Sequence, residues 1–306
     1  MTRAVVFAYS EVGLRCVREL LVQGVQIPLL FTHQDDPNEK QWFGSVQELA
    51  SKHGVHAVTP DSPNTAQWID AGRAAQPDFV FSFYYRYMLD QAWLSLPRLG
   101  ALNMHGSLLP KYRGRAPVHW AILNGETSSG ASLHYMVEKP DAGALVDQES
   151  VAILPNDNAL EVSIKVAEVA EQVLRRSLPK LIAGSADARP LDLTQGSYFG
   201  RRTPEDGRIN WRLPARAVHD LVRAVAPPFP GAFTELNGVK VAILETRLDE
   251  RPAKYPHPCL YTADGTWYAD CADGRRLKIL QLAVNGAPVA HNSVPSALAQ
   301  QPLPLG

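Results

Sequence analysis

The sequence predicts an α/β protein with a mostly parallel sheet, followed by a small, mainly β domain. Strand-like and helix-like runs alternate through the first half, which is typical of a parallel sheet covered by helices on both faces. Beyond Trp211 the pattern changes to short apolar runs between turn residues, which favours a separate β domain. We therefore expect a catalytic-type domain over 1–190, a linker over 191–210 and a second domain over 211–306.

The first half contains the strand candidates of the parallel sheet. Ser10 can cap a helix that runs to Val22, with Gly24 as its stop, and Ser45 with Glu48 forms a capping box for a second helix. The expected strands are 3–9 (RAVVFAY), 27–32, 55–58, 78–85 (DFVFSFYY) and 101–104. Ligands of such sheets bind beyond the carboxyl ends of the strands, so the site is expected there.

The second half begins with a long predicted helix after Asn158. Its apolar residues recur at spacings of three and four and form one stripe: Leu160, Ile164, Ala167, Ala170, Leu174, Leu178 and Leu181. Pro179 should bend its last turn. We expect a helix over 214–225, short strands over 239–244 and 277–282, and a flexible, extended or poorly ordered tail from Pro288 onward.

Composition excludes several classes of protein. Hydrophobic residues make up 45% and charged residues 20%, and the formal net charge is −1, so no global field draws the chain to nucleic acid or an anionic membrane. No apolar run has the length of a membrane span, and the N-terminal apolar stretch is too short for a signal peptide, so we expect a cytoplasmic protein. Cys259 and Cys271 could pair, but idle thiols are favoured.

Familiar cofactor motifs are absent from the sequence. There is no GxGxxG after the first strand and no GxxxxGK, which removes the main support for nicotinamide or P-loop nucleotide binding. There is no HExxH and no paired cysteine set, and the histidines are scattered. We therefore predict no metal site.

The most informative stretch is 100–117 (GALNMHGSLLPKYRGRAP). Asn103 and His105 are two residues apart on a predicted strand, so their side chains share one face. An amide that stabilises an oxyanion beside an imidazole that moves a proton suits acyl transfer. The loop that follows carries three cations, which suit a carboxylate- or phosphate-bearing ligand: Lys111, Arg113 and Arg115. By residue type alone, a loop with one surface histidine and solvated bases is the favoured interpretation.

Two further stretches are candidates. Asp141 lies in a turn-like segment (VEKPDAGAL) after a predicted strand, and near His105 it would orient the ring and raise its pKa. Taken alone, an Asp in a turn is far more often a local backbone cap. Between Phe199 and Arg223, six arginines stand against three acids, a density that could hold a pyrophosphate or an RNA backbone, or could be a solvated junction.

At these residues the chain resembles the 10-formyltetrahydrofolate-dependent formyltransferases. The resemblance rests on Asn103, on His105 followed by GSLLPKYRG, and on Asp141-Ala-Gly, and it extends from VVFAY to PGAF. It includes FTHQDDPNEK, FSFYYR, LNGET, FGRRTPED and RAVAPPFPGAF. The resemblance implies a Rossmann-like formyltransferase domain and a C-terminal domain like an open OB barrel.

The resemblance also implies residue roles. His105 matches the proton-transfer histidine, Asn103 the residue that stabilises the oxyanion, and Asp141 the carboxylate that raises the histidine pKa. The positions that match the binding site of the formyl donor, 10-formyltetrahydrofolate, are Tyr87, Met88, Leu89, Arg115, Val137, Glu138, Lys139, Pro140 and Asp141. Tyr9, Arg201 and Arg202 are the candidates for binding the acceptor.

Within that family the sequence is most similar to the formyltransferase part of bifunctional polymyxin-resistance proteins. The implied acceptor is the 4-amino group of UDP-4-amino-4-deoxy-L-arabinose, in lipid A modification. Since no decarboxylase segment follows residue 306, we expect a separate enzyme to supply that step, or another nucleotide-linked amino sugar to be the acceptor. The sequence does not indicate an oligomeric state.

Three alternative functions remain. Methionyl-tRNA formyltransferases share the catalytic trio, but this chain has Tyr9 and Arg115 where those enzymes usually have smaller residues, and from Asp249 onward five acids balance five bases. A non-catalytic sugar-nucleotide sensor would not need Asn103, His105 and Asp141 together. Hydrolysis of the formyl donor would leave the second domain and the arginines without a purpose.

Overall fold

The structure is a computed structural model that describes residues 1–35, 37, 40–290 and 293–306. Three residues of the FTHQDDPNEK string, 36, 38 and 39, and two of the predicted tail, 291 and 292, lie outside the described residues. The described chain forms two compact units. The first unit comprises Met1–Pro117, Ser128–Ala152 and Ser163–Gly200; the second comprises Val118–Thr127, Ile153–Val162 and Arg201–Gly306.

The N-terminal half alternates strands with helices, as the sequence predicts. The elements are β1 Arg3–Ala8, α1 Ser10–Val22, β2 Gln26–Phe31, α2 Val46–Lys52, β3 Ala57–Val58, α3 Ala66–Ala74, β4 Phe79–Phe83, α4 Gln91–Leu94, β5 Gly100–His105, β6 Arg113–Gly114, α5 Pro117–Leu123, β7 Ser128–Tyr135, β8 Leu145–Ala152, α6 Ala159–Ile182 and β9 Tyr198–Phe199. Ser45 caps α2 by accepting a hydrogen bond from the backbone of Glu48, as expected from the capping box.

Seven strands form the main sheet in the order β3-β2-β1-β4-β5-β7-β8. The pairs from β3 to β5 are parallel, whereas β7 runs antiparallel to β5 and β8 antiparallel to β7. The strand order reverses beside β1, where β2 lies on one side and β4 on the other. This is the switch point at which doubly wound sheets form a ligand crevice. The predicted mostly parallel, Rossmann-like sheet is confirmed.

One face of the sheet is packed with aromatic residues. Phe7 of β1 stacks on Phe31 of β2 at 4.4 Å, and both meet the fully buried indole of Trp93 edge-on. Aromatic pairs in these geometries add to the free energy gained by area burial alone. The packing fixes the ends of β1 and β2, from which Tyr9 and His33 follow.

Helix α6 includes Pro179 and buries a face close to the predicted one. Ala167, Ala170, Leu174 and Leu178 are fully buried, but Ile164 is 38% exposed. Near the start of the helix, Val162 and Val166 are the buried residues instead. The predicted stripe is therefore wrong there, because it is rotated by about half a turn from the face that is buried.

The C-terminal elements form a second, antiparallel sheet. They are α7 Ala215–Ala224, β10 Ala232–Leu236, β11 Val239–Pro252, β12 Cys259–Ala263, β13 Thr266–Asp270, β14 Arg275–Val284, β15 Ala287–Pro288 and β16 Leu303–Pro304. The strand order is β10-β11-β14-β13-β12-β16, with β15 paired to β14, and the sheet is barrel-like, which confirms the predicted mainly β domain. Cys259 and Cys271 are free, buried thiols.

The tail differs from the sequence prediction. Over the described residues 293–306 it is packed rather than flexible: β16 pairs with β12, and Leu298, Leu303 and Leu305 are buried in the core of this sheet. Gln301 Oε1 accepts hydrogen bonds from the backbone and the hydroxyl of Thr262, at 2.6 and 2.9 Å. The expectation of a poorly ordered tail is therefore wrong there, because three leucines bury enough apolar surface to hold it.

Candidate active site

Asn103 and His105 lie at the carboxyl end of β5, between parallel β4 and antiparallel β7. The two side chains share one face of the strand and converge on the same oxygen of Asp141. Asn103 Nδ2 lies 3.4 Å and His105 Nδ1 lies 3.5 Å from Asp141 Oδ1. The sheet thus brings the three candidate catalytic residues together.

Asp141 is fixed by an unusual backbone and one strong contact. It follows β7 with a φ of 51°, in the left-handed region that non-glycine residues seldom adopt. The amide of Gly114 donates to its Oδ2 at 2.8 Å. The contact with Gly114 holds the carboxylate in place. The contacts to Oδ1 are all longer than a strong hydrogen bond, so the side chains of Asn103 and His105 can turn from it toward a substrate. A strained conformation of this kind is often found at functional sites.

The carboxylate of Asp141 is kept ionised by its neighbours. Burial by itself would raise the pKa of Asp141, but the His105 ring, the His134 ring and the Gly114 amide lower it. The net pKa lies well below the usual value for an aspartate. A negative charge therefore persists beside the amide and the imidazole at any pH near neutrality.

His134 is a member of the site that the sequence analysis did not single out. It lies on β7 opposite Asn103, is almost fully buried, and places Nε2 3.2 Å from Asn103 Nδ2 and 3.5 Å from Asp141 Oδ1. Its Nδ1 donates to the carbonyl of Tyr135 at 2.8 Å, and in the tautomer with that single ring proton Nε2 is an acceptor for the Asn103 amide. The available signal was a histidine between Leu133 and Tyr135 in the strand that precedes Asp141.

The second nitrogen of His105 contacts the loop after β5. His105 Nε2 lies 2.8 Å from the carbonyl oxygen of Tyr112. Both ring nitrogens thus face oxygen acceptors, and a proton on each would satisfy both. The loop is itself anchored, since the Tyr112 amide donates to Ser197 Oγ and Ser132 Oγ donates to the carbonyl of Ser107. The ring orientation is therefore set by a backbone carbonyl on one side and by the Asp141 carboxylate on the other.

Gly106 lets the chain leave the strand beside the trio. A Cβ at this position would lie 1.7 Å from the hydroxyl oxygen of Tyr84, so no larger residue fits without moving that ring. Tyr84 follows β4 directly and has a φ of 58°. The phenol ring therefore packs against the backbone next to His105.

The candidate donor-binding residues fall on two exposed loops. Tyr87 and Met88 follow β4 and are 43% and 56% exposed, while Leu89 packs partly into the core. Val137, Glu138 and Lys139 are exposed on the loop between β7 and β8, and Pro140 is half-buried beside Asp141. Arg115 Nη2 lies 3.4 Å from the carbonyl oxygen of Arg86 and so contacts the first loop.

Tyr9, a candidate acceptor-binding residue, ends β1 at the switch point. Its amide donates to the Phe83 carbonyl, its hydroxyl donates to Asp35 Oδ1 at 3.2 Å, and the Arg86 guanidinium lies over its ring. The ring is buried. An open cleft of about 650 Å³ begins beside it; its lining includes Asp35, Phe43, Ser45 and Glu48 and none of the trio.

The other two acceptor-binding candidates lie in the second unit. Arg201 is exposed, whereas the Arg202 guanidinium lies 4.9 Å from the ring centre of Trp120, and Arg202 Nη2 donates to the Asp206 carbonyl. Several arginines of the predicted cluster are paired within the unit. Arg208 contacts Glu205 and Glu235, and Arg216 and Arg223 both contact Asp220.

The cationic loop is less exposed than its composition suggests. Arg113 is buried, and its Nε and Nη1 have no hydrogen-bond acceptor among the described residues, whereas Lys111 and Arg115 are exposed. Over the described part of the chain, no group of three or more histidine, cysteine, aspartate or glutamate side chains could hold a metal ion. Within the same residues, no helix combines the length and the apolar character that crossing a membrane requires.

Two family models match the chain. The model for formyl transferase matches residues 12–178, more than half of the sequence, and the model for the formyl transferase C-terminal domain matches residues 201–293. The chain therefore belongs to the formyl transferase family. The match includes the strand, the loop and the turn that carry Asn103, His105 and Asp141.

Several solved structures are similar to this chain at low sequence identity. The N-formyltransferase from Helicobacter canadensis, in complex with folinic acid and dTDP-3-aminofucose, is 19% identical over 91% of this chain and 99% of its own, with a TM-score of 0.71. WlaRD, a sugar 3N-formyl transferase studied with dTDP and 5-N-formyl-THF, is 19% identical over 91% and 97%, with a TM-score of 0.72. A 4-N formyltransferase from Francisella tularensis is 18% identical over 76% and 91%, with a TM-score of 0.61. These likenesses show a shared fold.

Proposed function

We propose that this protein transfers the formyl group of 10-formyltetrahydrofolate to the amino group of a nucleotide-linked amino sugar. The observation that carries the proposal is the convergence of Asn103 and His105 on Asp141 at the end of β5. An amide donor, an imidazole and a carboxylate are what formyl transfer between two nitrogens requires. Membership of the formyl transferase family supports the reaction, and the sugar N-formyltransferases of the same fold support the class of acceptor.

The reaction begins with the amine of the sugar. Its nitrogen attacks the formyl carbon of the donor, a new C–N bond forms, and the carbonyl electron pair moves onto the oxygen. Asn103 Nδ2 turns from its long contact with Asp141 and donates to this oxyanion, together with the protonated ring of His105. When the intermediate collapses, the bond between the formyl carbon and N10 of the folate breaks.

His105 moves the proton that the amine loses. The neutral ring accepts it as the amine attacks, the resulting imidazolium donates to the oxyanion, and the same proton is then delivered to N10 of the departing tetrahydrofolate, so that no net proton is consumed. The ionised carboxylate of Asp141 lies 3.5 Å from Nδ1 and orients the His105 ring for this transfer. Each of these elements contributes about a hundredfold or more to the rate.

The donor and the acceptor occupy different groups of residues. The donor binds along Tyr87 to Leu89, Arg115 and the loop that ends at Asp141, and Arg115 contributes a cation for its carboxylates. For the acceptor, Arg201 and Arg202 are the candidates for binding its diphosphate, and Tyr9 is a separate candidate contact.

The acceptor we test first is UDP-4-amino-4-deoxy-L-arabinose. The motif string around His105 supports it, and it would connect the enzyme to lipid A modification and polymyxin resistance. Among the structures of the same fold, one acts at a 4-amino position and another at a 3-amino position, so the position of the amine is the point to test.

The experiment offers the purified protein 10-formyltetrahydrofolate with one acceptor at a time. The acceptors are UDP-4-amino-4-deoxy-L-arabinose, dTDP-3-aminofucose and charged initiator tRNA, with a reaction without acceptor as the control. Mass spectrometry should find a formyl group on a nucleotide sugar. Formylated tRNA, donor consumption without acceptor, or binding of the sugar nucleotide without formylation would each overturn the proposal in favour of a tRNA enzyme, a hydrolase or a sensor.

A further inference from the structure

The loop between β4 and α4 is irregular, yet side chains from two other elements hold its backbone. His33, which follows β2, and Asn64, which precedes α3, together contact the main chain at residues 86, 88 and 90. A loop without ladder hydrogen bonds is ordinarily mobile on the surface. Here hydrogen bonds with the side chains of His33 and Asn64 satisfy polar backbone groups at both ends of the loop.

The first contact is made by His33. The amide of Arg86 donates to His33 Nε2 at 3.0 Å, which requires this nitrogen to be unprotonated. Burial, and then the charge of Arg86, lower the pKa of His33 to about 4, so the ring is neutral and able to accept. The ring also stacks on Tyr85 at 4.3 Å and meets Tyr87 edge-on at 4.9 Å.

The second contact is made by Asn64, whose amide bridges two backbone groups. Its Nδ2 donates to the carbonyl of Met88 at 2.9 Å, and its Oδ1 accepts from the amide of Asp90 at 3.1 Å. The residue before it is anchored in turn, because the fully buried Trp93 donates its indole N–H to the Pro63 carbonyl at 3.1 Å. The bridge is therefore tied to the aromatic core.

The backbone of the loop is held while its side chains remain accessible. Tyr87 and Met88 are exposed, and the carbonyl of Arg86 is contacted by Arg115. A binding loop that is ordered before the ligand arrives loses less conformational entropy on binding. The two hydrogen bonds of Asn64 act on the main chain at Met88 and Asp90, so they order the loop backbone itself.

We propose that His33 and Asn64 are positioning residues that preset the 86–90 backbone for the formyl donor. The inference rests on the proposed function, in which Tyr87, Met88 and Leu89 contact that donor. The two residues act through the loop and do not touch the reacting atoms. Loss of either residue should therefore raise the Kd and the KM for the folate while leaving kcat unchanged, and loss of Asn64 should also leave the KM for the sugar nucleotide unchanged.

The test uses folinic acid as the probe and calorimetry on the full chain. Asn64→Ala, which removes two hydrogen bonds, should weaken binding about tenfold. Asn64→Asp keeps the acceptor for Asp90 and should lose less. His33→Leu should weaken binding about fivefold, and His33→Gln, which restores an acceptor, should recover part of the loss. The matched control is Gln91→Ala, which removes an exposed hydrogen bond to Ser95 just beyond the loop.

The outcomes separate this inference from the proposed function. A wild-type protein that binds no folinic acid would overturn both. Wild-type binding with Asn64→Ala and His33→Leu within twofold of Gln91→Ala would overturn the positioning role alone. A loss that appears equally in kcat, or that His33→Gln and Asn64→Asp fail to relieve, would show a general structural defect and would also count against it.

Discussion

Asn103 and His134 lie directly opposite each other on two antiparallel strands, with the amide nitrogen of one 3.2 Å from Nε2 of the other. Because His134 donates its Nδ1 proton to the Tyr135 carbonyl, its remaining nitrogen accepts, and this fixes which end of the Asn103 amide faces Asp141. Only the nitrogen end can donate to an oxyanion. We therefore expect His134 to act by orienting Asn103.

Replacement of His134 tests this orientation. His134→Leu should lower kcat about tenfold, the equivalent of one lost hydrogen bond, and His134→Gln should restore part of it by offering an acceptor. In a double-mutant cycle with Asn103→Ala, the combined loss should be smaller than the product of the single losses. Fully independent effects would show that His134 does not act through the amide.

The trio itself makes a stronger prediction. Asn103→Ala and His105→Ala should each lower kcat by about a hundredfold or more, since each removes a group that acts in the transition state. Steady-state kinetics and thermal unfolding of the same preparations provide the measurement and its folding control. A His105→Ala protein that is folded and turns over at the wild-type rate would refute the assigned role.

The depressed pKa of Asp141 predicts how stability changes with pH. The carboxyl of Asp141 has a lower pKa in the folded than in the unfolded state, so its ionisation stabilises the fold above the unfolded pKa of about 3.9. This contribution to the free energy of unfolding is lost as the pH falls toward the pKa of the folded state. Urea unfolding across the acid range should therefore show a shallower loss for Asp141→Asn than for the wild type. The matched control is Asp70→Asn, which removes a carboxylate with an exposed side chain. Equal slopes for wild type and Asp141→Asn would contradict the prediction.

The packed tail predicts a loss of stability on truncating one of its leucines. Leu303 is 3% exposed and pairs with Leu260 across β16 and β12, so Leu303→Ala should lower the free energy of unfolding by about 2–5 kcal/mol. Leu280→Ala, at a position that is 41% exposed on β14, is the control. Chemical denaturation distinguishes the two. Equal, small effects would mean that the tail contributes nothing to the fold.

The sequence predicts the regular parts of the fold because they follow from local patterns. The β-α alternation gives the parallel sheet, and the two-residue spacing of Asn103 and His105 gives their shared face. Their meeting with Asp141 could not be derived from pattern, because it depends on a left-handed residue and on a Gly114 amide that is distant in sequence. The resemblance to a family supplied that pairing as an expectation.

Other features of the structure could not be predicted from the sequence, and the reason is specific to each. His134 looks like any histidine in a strand until β7 is seen to run antiparallel beside β5. The prolines of the tail suggested disorder, and the pattern did not show that its leucines complete the core of a distant sheet. The bridge made by Asn64 joins loops whose proximity only the sheet order determines.

The most direct test of the account follows the formyl group. Wild-type protein is incubated with 10-formyltetrahydrofolate and UDP-4-amino-4-deoxy-L-arabinose, with His105→Ala in parallel, and mass spectrometry reads both the folate and the sugar. We predict tetrahydrofolate and the N-formylated nucleotide sugar in equal amounts from the wild type, and almost none from the variant. Equal product from both proteins would contradict the role of the Asn103, His105 and Asp141 site, and the absence of any formylated sugar across all nucleotide-linked acceptors would contradict the proposed reaction.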